Sequence, residues 1–146
     1  MSYWDTSALV KLYAKEPDSA IFENYALQIA RPMLSSRIAL YEARATFRRK
    51  EAEGILQAGT AQTLFSQLVQ DVGTGEVHLL DLGADVEDHY GQVLDLCYQQ
   101  NPFIAIRTLD AIHLASARVA GDTEIVATDR RMREAAHLLG FSRFPA

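Results

Sequence analysis

Cysteine is almost absent. Cys97 stands alone among 146 residues, which excludes an intramolecular disulfide and suits a reducing, cytoplasmic setting. It falls in the apolar pattern Val93-Leu94-Leu96-Cys97, so packing rather than reactivity is expected of it. No apolar run approaches the roughly 20 residues of a membrane-spanning helix, and no membrane role is expected. The N-terminus has an acid at position 5 and no basic stretch, unlike a secretory leader. No Gly-rich phosphate loop of the GxxxxGKS kind is present. His78, His89, His113 and His137 are scattered, so nothing has zinc-ligand spacing. Internal repeats, low-complexity stretches and linkers are missing too. Positive charge is in deficit, with 14 Lys and Arg against 19 Asp and Glu and a net charge of -5. That argues against wholesale coating of nucleic acid. It leaves room for an enzyme acting on nucleic acid, because acids that hold divalent cations would themselves push the count negative.

What is present is an ordinary globular balance, 49% hydrophobic and 23% charged. The length suits one domain over residues 1–146, large enough to bury about 70% of its extended surface. Short strands alternate with longer helices. Tyr3-Trp4 leads into Asp5, and helical spacing follows through Leu9, Leu12 and Tyr13, with Thr6 or Ser7 as N-cap. A second helix carries Ile21, Phe22, Tyr25 and Ile29. Met33-Leu34-Ser35 reads as a strand, and Ser35 or Ser36 caps a helix to about Glu53. In that helix the rows Ile38, Tyr41, Ala45 and Leu40, Ala43, Phe47 are both expected to face the core. Thr60 to about Val72 is helical, with Leu64, Phe65, Leu68 and Val69 as its stripe. Val77 to Leu82 is a buried strand, and Asp85 to about Gln99 a helix. After Phe103–Arg107, Thr108 caps a helix through Ile112, Ala115 and Val119 that stops at Gly121. Glu124–Thr128 is the last clear strand, and a final helix runs from Arg130 to about Leu139. The pattern predicts an α/β fold with a mainly parallel sheet.

Four acids stand out. Asp5 and Asp129 each follow a strand and precede a helix, and the carboxyl ends of parallel strands share one edge, where ligands bind. Either, taken singly, also suits a helix cap. Asp110 falls in the first turn of a helix, where the dipole favours an acid. Glu42 lies between apolar rows, where the ordinary expectation is a snorkelling side chain or a pair with Arg49. Together they suggest an acidic pocket. Clustered carboxylates need a cation, and an oxygen-only donor set suits Mg²⁺ or Mn²⁺, whose chemistry suits phosphodiester hydrolysis. Arg44, Arg48, Arg49, Lys50, Arg130, Arg131 and Arg133 follow the acids in sequence. Most are expected on solvated faces, while some could hold phosphate. His113 is expected to be packed or hydrogen-bonded rather than a ligand.

The segments Tyr3–Leu12, Ser36 through Glu42 to Arg48-Arg49, Arg107–Ala115 and Ala127-Thr128-Asp129-Arg130-Arg131-Met132 resemble the PIN-domain ribonucleases, in particular the VapC-type toxins of bacterial and archaeal toxin–antitoxin pairs. The resemblance runs nearly end to end. It implies an α/β/α sandwich with helices on both faces of a short, mainly parallel sheet. It also implies an Mg²⁺-dependent endoribonuclease, with Mn²⁺ able to substitute, whose metal and catalytic residues are Asp5, Glu42, Asp110 and Asp129. The family often has Thr two residues before the last Asp; here position 127 is Ala, and Thr128, Ser7 or Thr6 is left to supply the hydroxyl. The resemblance further implies an RNA substrate, a homodimer and a cognate antitoxin. Arg44, Arg48, Arg49, Arg107 and Arg130 are candidate contacts to RNA or antitoxin. Rival expectations are an RNA-processing PIN nuclease without antitoxin and a non-catalytic RNA- or protein-binding module. Retention of all four acids speaks against the module. A haloacid-dehalogenase-type phosphatase would need an Asp at position 7, where this chain has Ser7.

Overall fold

The computed structural model describes every residue except 122. Its strands are β1 (Ser2–Trp4), β2 (Met33–Ser36), β3 (Val77–Leu80), β4 (Glu124–Val126) and β5 (Ser142–Phe144). Its helices are α1 (Thr6–Leu9), continued by a 3₁₀ turn over Val10–Leu12, then α2 (Ser19–Gln28), α3 (Ile38–Ala52), α4 (Thr60–Thr74), α5 (Ala84–Tyr98), α6 (Thr108–Ala120) and α7 (Arg130–Leu138). The strands form one sheet in the order β3-β2-β1-β4-β5, and every pairing is parallel.

Period-two alternation in the strands sorts side chains onto two faces. Trp4, Met33, Val77 and Val126 pack with Phe22, Phe47, Leu64 and Leu68, beneath α1 to α4. Tyr3, Leu34 and Ile125 point the other way, into a cluster with Val93, Cys97, Leu114, Met132 and Ala135 beneath α5 to α7. Helices therefore cover both faces, as an all-parallel sheet requires, and the α/β/α architecture is as expected. Cys97 is fully buried.

Several local expectations are corrected. The N-cap position of α1 is Asp5, not Thr6 or Ser7, and that of α6 is Arg107, with Thr108 the first helical residue. Arg37 holds the N-cap position of α3, although Ser36 Oγ accepts the Ile38 N–H at 3.3 Å. On α3 only one row faces inward: Ala39, Ala43 and Phe47 are buried, whereas Tyr41 is 76% exposed and Ala45 is exposed. Val69 of α4 is exposed as well. The strand expected over Val77–Leu82 ends at Leu80, and β4 ends at Val126, leaving Ala127 and Thr128 beyond it. The sequence reading had no β5; this edge strand pairs with β4 in register Ile125 with Arg143.

The order places β1 at the centre, with β2 and β4 on either side. The chain direction of building reverses there, leaving a crevice at the carboxyl ends of β1 and β4. Asp5 remains tied to the sheet, its N–H donating to Val126 O at 3.0 Å.

The two rows of α3 differ in cost when truncated. Phe47→Ala is expected to lower unfolding free energy by about 3–5 kcal/mol, and Tyr41→Ala by no more than about 0.5 kcal/mol, as measured by urea denaturation. Equal losses would contradict the placement of α3.

Candidate active site

A cleft of about 340 Å³ opens at the carboxyl edge of the sheet. Asp5, Thr6, Ser7, Glu42, Arg49, Arg107, Asp110, Thr128 and Asp129 all line it. All four acids singled out in the sequence therefore meet at one place. Asp5 and Asp110 are only 4% and 7% exposed, while Glu42 and Asp129 stand nearer the rim.

Each acid is held differently. Asp5 follows β1, and its Oδ2 accepts the Ser7 hydroxyl at 2.6 Å; Ser7 Oγ in turn accepts from Thr128 Oγ1 at 3.1 Å. This pair of hydroxyls joins the end of β1 to the segment after β4. Asp129 also caps α7, its Oδ2 accepting the Met132 N–H at 3.0 Å, so the cap role and a place in the cleft coexist. Asp110 stands in the first turn of α6, as expected from its position, with Oδ2 accepting Arg107 Nε–H at 3.1 Å. Glu42 does not pair with Arg49, whose ion-pair partner is Glu53 at 3.7 Å. Glu42 Oε1 instead accepts the Thr6 hydroxyl at 2.7 Å and lies 2.7 Å from His113 Nε2.

His113 is the pivot beneath the cleft. It is wholly buried, with Nδ1 2.7 Å from the Tyr3 hydroxyl and Nε2 3.6 Å from Asp5 Oδ1. It positions Glu42 from below and does not line the cleft. Burial works against the imidazolium, but the bond to Glu42 and the charges of Asp5, Glu42 and Asp110 outweigh it and hold His113 above its usual value. Burial likewise opposes ionised Glu42; the bond and charge of His113, with Thr6 and Arg107, outweigh it and keep Glu42 below the usual carboxylate range. Asp110 goes the other way. Burial and then the charge of Asp5 push its carboxyl up, and Arg107 only partly offsets them.

Lys50, from the basic run after Glu42, lines the cleft as well, and Thr46, Lys11 and Glu16 line it without having been picked out in the sequence. Thr46 and Lys50 line it from α3. Their spacing from Glu42, four and eight residues on, puts all three on one helical face, a signal that was available. Lys11 and Glu16 line it from beyond α1. Glu16 bridges Lys11 at 3.3 Å and Lys50 at 3.5 Å, and Lys11 also reaches Asp18 at 2.7 Å. Arg44 and Arg48 lie outside the cleft, in a separate groove with Phe65. Arg130 is exposed and pairs with Glu134 at 3.0 Å.

Among the described residues, no three carboxylate, imidazole or thiol groups stand close enough to form a ready-made metal cage. The donor set nevertheless fits a hard divalent cation. It is built of oxygens, with the almost fully buried carboxylates of Asp5 and Asp110 lining one cleft alongside Glu42 and Asp129.

A carboxyl whose folded pKa is raised is destabilising once ionised, so its cost is present at neutral pH and vanishes at acid pH, where folded and unfolded chains are both protonated. In EDTA at pH 7, Asp110→Asn is expected to raise the melting temperature by a few degrees, with the gain shrinking below the usual carboxylate range. A lower melting temperature at pH 7 would contradict this electrostatic assignment.

Comparison with known proteins agrees with this geometry. A family model described as "PIN domain" matches residues 2–138. The chain is 37% identical over 142 residues to Ribonuclease VapC46 of Mycobacterium tuberculosis, covering 96% of this chain and 93% of that protein. Among solved structures, VapBC2 from Rickettsia felis bound to a promoter DNA fragment is similar with a TM-score of 0.63 and 18% identity, over 98% of this chain and 97% of that one. A toxin–antitoxin complex from Klebsiella pneumoniae is similar with a TM-score of 0.63 and 12% identity, over 88% and 87%. At those identities the structural likeness speaks for the fold, and the family model and the relative speak for descent. The chain belongs to the PIN-domain family, among its VapC-type proteins.

Proposed function

We propose that the protein is an Mg²⁺- or Mn²⁺-dependent endoribonuclease and the toxin of a toxin–antitoxin pair. The observation that carries this reading is the convergence of Asp5, Glu42, Asp110 and Asp129 on one cleft at the carboxyl edge of the sheet. Membership among VapC-type proteins supports it, as does the name of the 37% identical relative, a ribonuclease. Asp5, Glu42, Asp110 and Asp129 would hold the cation between them, directly or through water. Such an ion, when bound, lowers the pKa of a water and neutralises charge on a phosphate.

The chain's own groups have defined tasks in this reading. Thr128 and Ser7 orient Asp5 through their hydroxyl chain. Tyr3 fixes the His113 ring, and His113 with Thr6 favours ionised Glu42 and holds it in the cleft. Arg49 and Lys50, on the wall that also carries Glu42, supply positive charge for phosphates flanking the one attacked. The cleft suits an accessible backbone, so the substrate is single-stranded or looped RNA. Similarity of fold to proteins solved as toxin–antitoxin complexes supports a partner antitoxin that blocks the cleft. A homodimer is the family expectation. No helix among the described residues is long and apolar enough to cross a membrane.

The test is cleavage of single-stranded RNA by purified protein. Wild type is expected to cut with Mg²⁺ or Mn²⁺ and to stop in EDTA. Asp5→Asn and Asp110→Asn are expected to reduce cleavage at least about 100-fold, consistent with losing a major electrostatic contribution to catalysis, while circular dichroism stays native. Full activity in both variants would overturn the mechanism.

A further inference from the structure

Arg107 occupies an unusual place in the cleft. It sits at the N-cap position of α6 with extended backbone, and its side chain turns back over the acids. Nε donates to Asp110 Oδ2 at 3.1 Å, and Nη2 lies 3.8 Å from Asp129 Oδ1. One guanidinium thus spans carboxylates from two elements, α6 and the junction of β4 with α7. Its contacts are to two of the four acids that line the cleft. The side chain is 64% exposed, so it can leave for solvent without giving up much packing. An ion pair that exposed is weak. The guanidinium fork matches carboxylate and phosphate oxygens alike.

We infer that Arg107 is an internal counter-ion that competes with the divalent cation for Asp110 and Asp129 and, once displaced, turns to a phosphate oxygen of the substrate. The inference rests on the metal-dependent reading of the cleft. Both cations would seek the same carboxylates, and close approach of the two is repulsive. Arg107 therefore weakens metal binding in the absence of substrate. A phosphate that accepts the released guanidinium removes that competition, so metal and RNA favour one another's binding. This differs from a plain RNA contact, which would leave metal affinity untouched or strengthen it.

The experiment is calorimetric titration with Mn²⁺ of wild type, Asp110→Asn, Arg107→Gln, Arg107→Lys and Arg130→Gln. Arg130 serves as a nearby arginine whose ion pair lies with Glu134 at 3.0 Å. Arg107→Gln is expected to bind Mn²⁺ about two- to fivefold more tightly than wild type, the scale of one exposed ion pair. Arg107→Lys, which keeps the charge and loses the fork, should fall between, and Arg130→Gln should match wild type. In parallel, the Arg107 Nε–H resonance of wild type should move toward the free guanidinium position on saturation with Mg²⁺. Unchanged or weaker Mn²⁺ binding in Arg107→Gln overturns the inference, as does an unmoved Arg107 resonance. Equal tightening in Arg130→Gln also overturns it, since general charge would then suffice. Failure of wild type to bind Mn²⁺ overturns the metal reading and this inference together. Binding by wild type that is lost in Asp110→Asn upholds the reading and leaves the Arg107 results to decide alone.

Discussion

Carboxylates gathered in one place repel one another, and those taken out of water lose hydration as well. Asp5 and Asp110 are almost fully buried, with Glu42 and Asp129 beside them in the same cleft. The surrounding structure is a set of answers to that problem. Helix α6 and the N-cap residue before it bring two of them. His113 meets the acids from beneath, with Nε2 2.7 Å from Glu42 Oε1 and 3.6 Å from Asp5 Oδ1. Arg107 supplies positive charge from the rim, against Asp110 and Asp129. Hydroxyls provide further relief: Thr6 for Glu42 and Ser7 for Asp5. Asp129 shares its charge with the N-terminus of α7.

The sheet makes this gathering possible. All strands run in parallel, so every carboxyl end lies along one edge. The central place of β1 puts Asp5 next to the end of β4, and the hydroxyl contact from Thr128 to Ser7 closes that gap. α3 then lays Glu42, Thr46, Arg49 and Lys50 along one wall. The ion pairs of Glu16 with Lys11 and Lys50 tie that wall to the turn after α1. The cleft thus sets Asp5, Asp110 and Asp129 opposite a wall on which Glu42 stands with Arg49 and Lys50, all on a fixed frame.

Much of this could be read from the chain. Asp5 and Asp129 repeat one local logic of strand, acid and helix; Asp5 directly follows β1, and Asp129 directly precedes α7 although β4 ends two residues earlier than Thr128. Asp110 sits in the first turn of α6 as its spacing from Thr108 required. Tyr41 shows where such reading fails. Periodicity found two apolar rows on α3, and nothing local distinguished the inward one; alanine and phenylalanine at 39, 43 and 47 fill the core, while Tyr41 is 76% exposed. The strand β5 was missed because Ser142-Arg143-Phe144 is short and only half buried, an edge with little apolar pattern. The N-cap positions shifted by a residue because hydroxyls suited to capping stand next to residues that hold the extended backbone conformation.

The sequence by itself determined the kinds and order of the elements through α7, the mainly parallel sheet, and the presence of acids at its carboxyl edge. Those follow from patterns a few residues long, where backbone geometry sets the period. Only the tertiary structure decided which charges meet. Glu42 and His113 are 71 positions apart, Tyr3 and His113 are 110 apart, and Ser7 and Thr128 are 121 apart. Contacts of that separation depend on strand order and helix packing, so the pairing of Glu42 with His113 in place of Arg49, and the reach of Arg107 to Asp129, come from the fold and leave no mark in local spacing.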